Sequence, residues 1–195
     1  YMISELSMFL DHIKKFIIII LASYLASCSI PKTDLSLDQA TLLEIKEGKI
    51  IGSNNGKTYQ WLGIQYGSIP DSSYRWKRGA ETEKWDGVYE ALEFGNTCVQ
   101  KGSLINTTKR RNWGDIVGSE DCLYLNVWAP RDVFDDLSQS KPVMVWIHGG
   151  SNVSGNADFY DPSELVSSQD VIVVSINYRL GPFGWFRHPD ITSNA

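Results

Sequence analysis

A chain of 195 residues with 43% hydrophobic and 12% aromatic content has enough apolar material for one buried core, which excludes disorder as its main state. Its formal net charge of −5, without a run of like charges, leaves no electrostatic footprint for a polyanion, so nucleic acid is not an expected partner. The local basic cluster Lys109-Arg110-Arg111 is short and reads as a solvated loop.

At the N-terminus, Lys14-Lys15 precede Phe16-Ile17-Ile18-Ile19-Ile20-Leu21-Ala22, and the apolar character continues through Tyr24 and Leu25. A spanning helix needs about 20 apolar residues, roughly twice this run, so the segment suits the hydrophobic region of an export signal. Leu25-Ala26-Ser27-Cys28 then resembles the lipobox of bacterial lipoproteins, in which the cysteine carries the lipid and becomes the mature N-terminus. Residues 1–28 are thus expected to be a lipoprotein signal peptide and lipobox, with Cys28 as the lipidation site. An ordinary cleaved signal with an incidental cysteine is the alternative. The chain opens on Tyr1, and Met8 stands better placed before Lys14-Lys15, so residues ahead of Met8 read as translated upstream sequence. The expectation is an exported protein, lipid-anchored to a bacterial membrane and facing the periplasm or the cell surface. Ser29 in place of aspartate leans, by resemblance to Gram-negative sorting rules, toward the outer membrane.

Residues 29–42 contain Pro31, Thr33, Asp34, Ser36 and Asp38 and read as a tether, with the fold expected to begin near Leu43 and to occupy residues 43–195. Asn54-Asn55-Gly56 between Lys49–Gly52 and Tyr59–Ile64 predicts an antiparallel hairpin. Leu123, Leu125 and Val127 alternate with Tyr124, Asn126 and Trp128, the period of a strand, which Pro130 ends. Val143–Ile147 and Val171–Ile176 are nearly continuous apolar runs, as in strands covered on both faces. Between them, Asp161-Pro162 supplies a helix N-cap and first-turn proline for Glu164, Leu165 and Val166. A right-handed crossover would make the two strands neighbours. The expected class is α/β, with a mixed, mostly parallel sheet and an antiparallel hairpin at its start. In an exported chain Cys98 and Cys122 form an even pair suited to a disulfide, two buried thiols being the alternative.

Val145-Trp146-Ile147-His148-Gly149-Gly150-Ser151 runs from a buried strand into small residues, where α/β sheets usually build ligand sites. Glycines there let backbone N–H groups approach a substrate, and two such groups aimed at one point stabilise an oxyanion. Three ordered blocks carry a family resemblance: Glu120–Val127, Pro142–Gly150, and Asn177-Tyr178-Arg179-Leu180-Gly181-Pro182-Phe183-Gly184. Together they resemble the type-B carboxylesterase and cholinesterase family, with weaker similarity back to Gly63-Ile64-Gln65-Tyr66-Gly67, Tyr74-Arg75-Trp76 and Trp85-Asp86-Gly87-Val88. The resemblance implies the N-terminal portion of an α/β-hydrolase fold.

By that resemblance the oxyanion loop falls on His148-Gly149-Gly150-Ser151, with Gly150 and Ser151 in the donor positions and a serine where the family has glycine. A third donor would follow the nucleophile. The resemblance also implies a Cys98–Cys122 bridge closing a loop over the active-site gorge, and an Arg75–Glu120 ion pair bracing it. Trp113, nine residues before Cys122, lies near the family's cation-binding tryptophan, although a tryptophan anchoring the loop is the other reading. His148 is expected to hold the loop and not to act as a base, and His188 to be a surface residue. No cofactor is implied. The expected partners are a small-molecule carboxylic ester and, through the lipid on Cys28, a membrane. Neither Ser151 nor Ser154 has both glycines of a G-x-S-x-G elbow, so the chain is read as incomplete, with nucleophile, acid and catalytic histidine falling after Ala195. The function implied is ester hydrolysis through an acyl-serine intermediate in a longer parent. The alternative is a non-catalytic, surface-anchored binding protein of the same fold.

Overall fold

The Asn54-Asn55-Gly56 turn is built by side chains that satisfy the backbone locally. Asn55 Oδ1 accepts the N–H groups of Lys57 (3.0 Å) and Thr58 (2.8 Å), Asn54 Oδ1 accepts that of Gly56 (2.9 Å), and Gly56 takes φ +89°. The computed structural model of the chain describes residues 36–103, 114–136, 138 and 140–192. Cys28, Trp113 and Lys109-Arg110-Arg111 lie outside them.

The turn joins β3 (Ser53–Asn54) to β4 (Thr58–Gln65), and β4 pairs antiparallel with β8 (Tyr124–Pro130). The hairpin is therefore present, but its first arm is Ser53–Asn54. The expected arm at Lys49–Gly52 falls mostly in β2 (Gly48–Ile51), which joins a separate three-stranded sheet between β1 (Leu43–Ile45) and β5 (Val88–Glu90). A bulge between Trp61 and Ile64 accommodates Gly63, whose N–H reaches Asn126 Oδ1 at 2.8 Å.

The principal sheet runs β3-β4-β8-β10-β9, with β9 at Val143–Ile147 and β10 at Ile172–Ile176. As expected, β9 and β10 are parallel neighbours, joined through α1 (Ser163–Gln169). The balance of pairings differs from a mostly parallel sheet: β3–β4, β4–β8 and β8–β10 are all antiparallel. β3 and β4 are joined by a tight turn and β4 and β8 by the long segment 66–123, and only the helical crossover from β9 to β10 sets neighbouring strands of this sheet in the same direction. The apolar run of β9 was expected to be covered on both faces. Among the described residues it is instead the sheet's edge, beside β10 alone, and its side chains are exposed from 44% at Trp146 to 61% at Ile147.

Two further expectations shift by a few residues. The fold starts before Leu43: Leu37 bridges to Ser53, Asp38 caps a 3-10 turn at Gln39–Thr41, and the fully buried Thr41 accepts the Trp61 Nε1–H through its carbonyl at 2.9 Å. The expected tether at 29–42 thus has its last residues inside the domain, since those polar groups hold a tryptophan. Pro162 is the N-cap of α1 and not its first turn, while Asp161 still accepts the Ser163 N–H at 2.9 Å.

Leu62, Trp128, Val166 and Val173 pack α1 onto one face of the sheet, and Ile50, Trp61, Ala91 and Ala129 fill the other. Full burial of a Val or Leu side chain stabilises by about 1.5–3 kcal/mol, so these two clusters fix the sheet from which the site loops emerge.

Candidate active site

β9 and β10 run parallel, so the loops leaving Ile147 and Ile176 emerge side by side at their carboxyl ends. His148, 4% exposed, follows β9 directly. Its ring stacks on Tyr178 at 4.4 Å, its Nδ1 lies 2.8 Å from the Gly149 carbonyl, and its own carbonyl accepts the Tyr178 hydroxyl at 2.7 Å. These contacts give His148 the loop-holding place expected of it. Burial raises the Tyr178 pKa, keeping the phenol a donor.

The next residues turn sharply. Gly150 takes φ +115°, and a Cβ there would lie 1.9 Å from the Ser154 carbonyl oxygen, so only glycine fits. The Gly150 carbonyl accepts the N–H groups of Val153 (3.0 Å) and Ser154 (3.1 Å). Ser151 and Asn152 both occupy the left-handed region, at φ +55° and +60°. Serine therefore stands where the backbone favours glycine, while asparagine tolerates it better. The Asn152 carbonyl accepts the Gly181 N–H at 2.7 Å, tying the loop to α2 (Gly181–Trp185). Among the described residues neither the Gly150 nor the Ser151 N–H donates to an acceptor of the chain. Beside them is a recess of about 140 Å³ bounded by His148, Gly149, Gly150, Gly155, Phe159 and Tyr160.

Behind the turn, residues 155–157 are held by buried side chains. Gln100 Nε2 donates to the Gly155 carbonyl (2.9 Å) and Gln100 Oε1 accepts the Gly155 N–H (2.8 Å). Asn177 Oδ1 accepts the Ala157 N–H (2.8 Å), and Ser175 Oγ donates to the Ala157 carbonyl (3.2 Å). Sequence reasoning missed these residues. Ser175 and Asn177 did carry a signal, as polar groups in and just after an apolar strand; Gln100 carried none.

Cys98 and Cys122 are joined by a disulfide and both are buried. The bridge closes the stem of a ribbon formed by β6 (Gln100–Lys101) and β7 (Ile116–Val117). Two residues before Cys122, Glu120 accepts the Arg75 guanidinium, with Arg75 Nε 2.9 Å from Oε2 and Nη2 bonded to Oε1. The guanidinium also lies over the rings of Trp76 (5.7 Å) and Phe183 (5.4 Å). The hydrogen bond from Arg75 holds the Glu120 carboxyl below its usual range. The pair thus links the Trp76 segment and α2 to the disulfide stem. His188 lies at the surface ahead of α3 (Pro189–Thr192). Among the described residues no group of His, Cys, Asp and Glu side chains could hold a metal ion.

The chain is similar to known esterases. A model described as the carboxylesterase family matches residues 39–194. The para-nitrobenzyl esterase of Bacillus subtilis (strain 168) is 40% identical over 140 residues, covering 71% of this chain and 27% of that protein. Acetylcholinesterase 4 of Caenorhabditis briggsae is 36% identical over 167 residues, 78% of this chain and 26% of its own length. A solved PNB esterase superposes with a TM-score of 0.67 at 37% identity, covering 77% of this chain and 30% of that one. The chain thus spans under a third of the length of these relatives. With its parallel pair, glycine turn and disulfide stem in place, and the match extending over most of its length, the chain belongs to the carboxylesterase family.

Proposed function

We propose that this segment supplies the oxyanion loop of a carboxylic ester hydrolase working through an acyl-serine intermediate, completed by a nucleophilic serine, an acid and a histidine outside these 195 residues. The observation that carries the proposal is the pair of N–H groups at Gly150 and Ser151, which have no acceptor among the described residues at the carboxyl end of a parallel strand pair. Serine attack on an ester carbonyl moves the π electrons onto oxygen, and donors fixed beforehand stabilise that charge at no cost of reorganisation. Collapse of the tetrahedral species expels the alcohol, and water then releases the acid by the same two steps. Ser151, in place of glycine, keeps its N–H while adding a hydroxyl near the acyl group.

The same reading takes Cys28 as the lipidated residue that tethers the protein to a bacterial membrane after export, outer membrane favoured by Ser29. It is supported by the lipobox-like Leu25-Ala26-Ser27-Cys28 behind a basic and apolar segment.

The test is to express the longer chain that continues this reading frame, assay it on aryl and alkyl esters, and replace the serine of its G-x-S-x-G elbow by alanine. Turnover abolished by that change supports the proposal. A frame without such a serine, and no turnover, would favour the binding-protein alternative.

A further inference from the structure

One buried carboxamide joins the disulfide stem to the glycine turn. Gln100, 4% exposed, stands in β6 two residues beyond Cys98, opposite Val117 across the ribbon. Its Nε2 donates to the Cys98 carbonyl at 3.0 Å and the Gly155 carbonyl at 2.9 Å, while Oε1 accepts the Gly155 N–H at 2.8 Å. The side chain therefore pairs with Gly155 as a neighbouring strand's peptide group would. Of its two amide orientations, only this one places an acceptor on the Gly155 N–H and donors on both carbonyls.

Gly155 in turn packs directly beneath the loop. It adopts φ +111°, and a Cβ there would lie 2.5 Å from both the Gly149 carbonyl oxygen and His148 Nδ1. Gly155 follows Ser154, whose N–H closes the turn on the Gly150 carbonyl. A shift at Gly155 is thus passed to His148 and Gly149 by contact and, through Ser154, to Gly150 and the turn by connectivity. Ala157, two residues on, has separate anchors in Asn177 and Ser175, and Asn152 within the turn is tied to Gly181, so Gln100 is the side chain that fixes the turn's far end at Gly155.

We propose that Gln100 is a positioning residue for the oxyanion loop, setting the direction of the Gly150 and Ser151 N–H groups from the disulfide-closed ribbon through Gly155. The inference rests on the ester-hydrolase reading for its kinetic consequence, but its geometry does not depend on it. Misplacing a group by about 1 Å in an active site can cost roughly 10²-fold in rate, so a clamp of this kind acts on turnover more than on substrate binding.

The test uses the longer chain with Gln100→Met, which keeps length and bulk without hydrogen bonds, and Gln100→Glu, which keeps an acceptor for the Gly155 N–H. In variants with native circular dichroism and an intact disulfide, the Met variant should lower kcat about 10- to 100-fold with KM changed under about threefold. The Glu variant, which keeps the acceptor but sets an oxygen against the Cys98 and Gly155 carbonyls, should lower kcat as well. Affinity for a trifluoromethyl ketone, which forms an oxyanion on the serine, should fall in parallel with kcat. Hydrogen exchange supplies a readout independent of activity. The Val153 and Ser154 amides, which do not touch Gln100, should exchange at least about tenfold faster in the Met variant. Unchanged kcat, or a loss confined to KM, overturns the proposal. If the wild-type longer chain hydrolyses no ester, the functional reading fails and exchange alone decides: accelerated Val153 and Ser154 support the clamp, and unchanged protection overturns it. A Met variant that does not fold leaves the Glu variant to decide by the same two readouts.

Discussion

Tyr178 grips His148 twice, stacking on its ring at 4.4 Å and donating its hydroxyl to the His148 carbonyl at 2.7 Å. The two contacts can be separated. Tyr178→Phe keeps the stack and loses the hydrogen bond, so unfolding in urea should show a loss of about 1 kcal/mol, and Tyr178→Ala, losing both, about 2 kcal/mol or more. Equal losses in the two variants would show that the stack contributes nothing.

Ser151 sits at φ +55°, where a Cβ is disfavoured. Ser151→Gly should leave stability within about 1 kcal/mol of the wild type, as relief of the left-handed strain offsets the added freedom of the unfolded chain. Ser151→Val, β-branched, should cost at least about 1–2 kcal/mol and reduce ester turnover in the longer chain. Thermal unfolding and initial rates of the two variants check this. A Val variant as stable as the Gly variant would mean that the backbone at 151 is not held left-handed.

The Cys98–Cys122 bridge closes a separation of 24 residues. Loop-closure entropy for such a span corresponds to about 3 kcal/mol, and reducing the protein should lower its stability by that order. Alkylation of native, unreduced protein should leave both thiols unmodified, and quantitative labelling of either would contradict the bridge.

Glu120 carries the pH dependence of the Arg75 brace. Its carboxyl is held below the ordinary 4.5 by the hydrogen bond from Arg75, so the folded state favours the ionised form. The resulting stability is fully present above about 4.5 and is lost as pH falls through the lower folded-state value. Urea midpoints between pH 7 and pH 3 should therefore decline for the wild type in that acid window and less for Glu120→Gln, the gap closing at the acid end. A gap independent of pH would remove the charge from the account.

Much of the frame was legible in the residues. Asn54-Asn55-Gly56 announced its hairpin because its side chains satisfy the turn locally, and the Val143 and Val171 runs announced adjacent parallel strands because crossover handedness leaves few options. The Cys98–Cys122 bridge was legible from the even cysteine pair of a chain read as exported, whereas the Arg75–Glu120 pair was legible only through resemblance, since neither spacing nor charge assigns a partner 45 residues away. What escaped depends on three-dimensional placement. Thr41 drew no notice until its carbonyl met Trp61, and Gln100 reads as a polar residue after a cysteine until the fold brings Gly155 against it. The openness of β9 was hidden as well, because an apolar run reports a tendency to be covered and not whether the residues that cover it are at hand.

If the proposed function holds, this chain carries the oxyanion-stabilising loop of a serine esterase site and not the attacking oxygen. The direct measurement is stoichiometric labelling by an active-site phosphonate, followed by peptide mapping, on the 195-residue chain and on the longer chain in parallel. The expected result is one labelled serine per molecule, within the G-x-S-x-G elbow of the longer chain, and no labelling of the 195-residue chain. Labelling of Ser151 or Ser154 in the 195-residue chain would contradict it, because the nucleophile would then lie in the very loop assigned to oxyanion stabilisation.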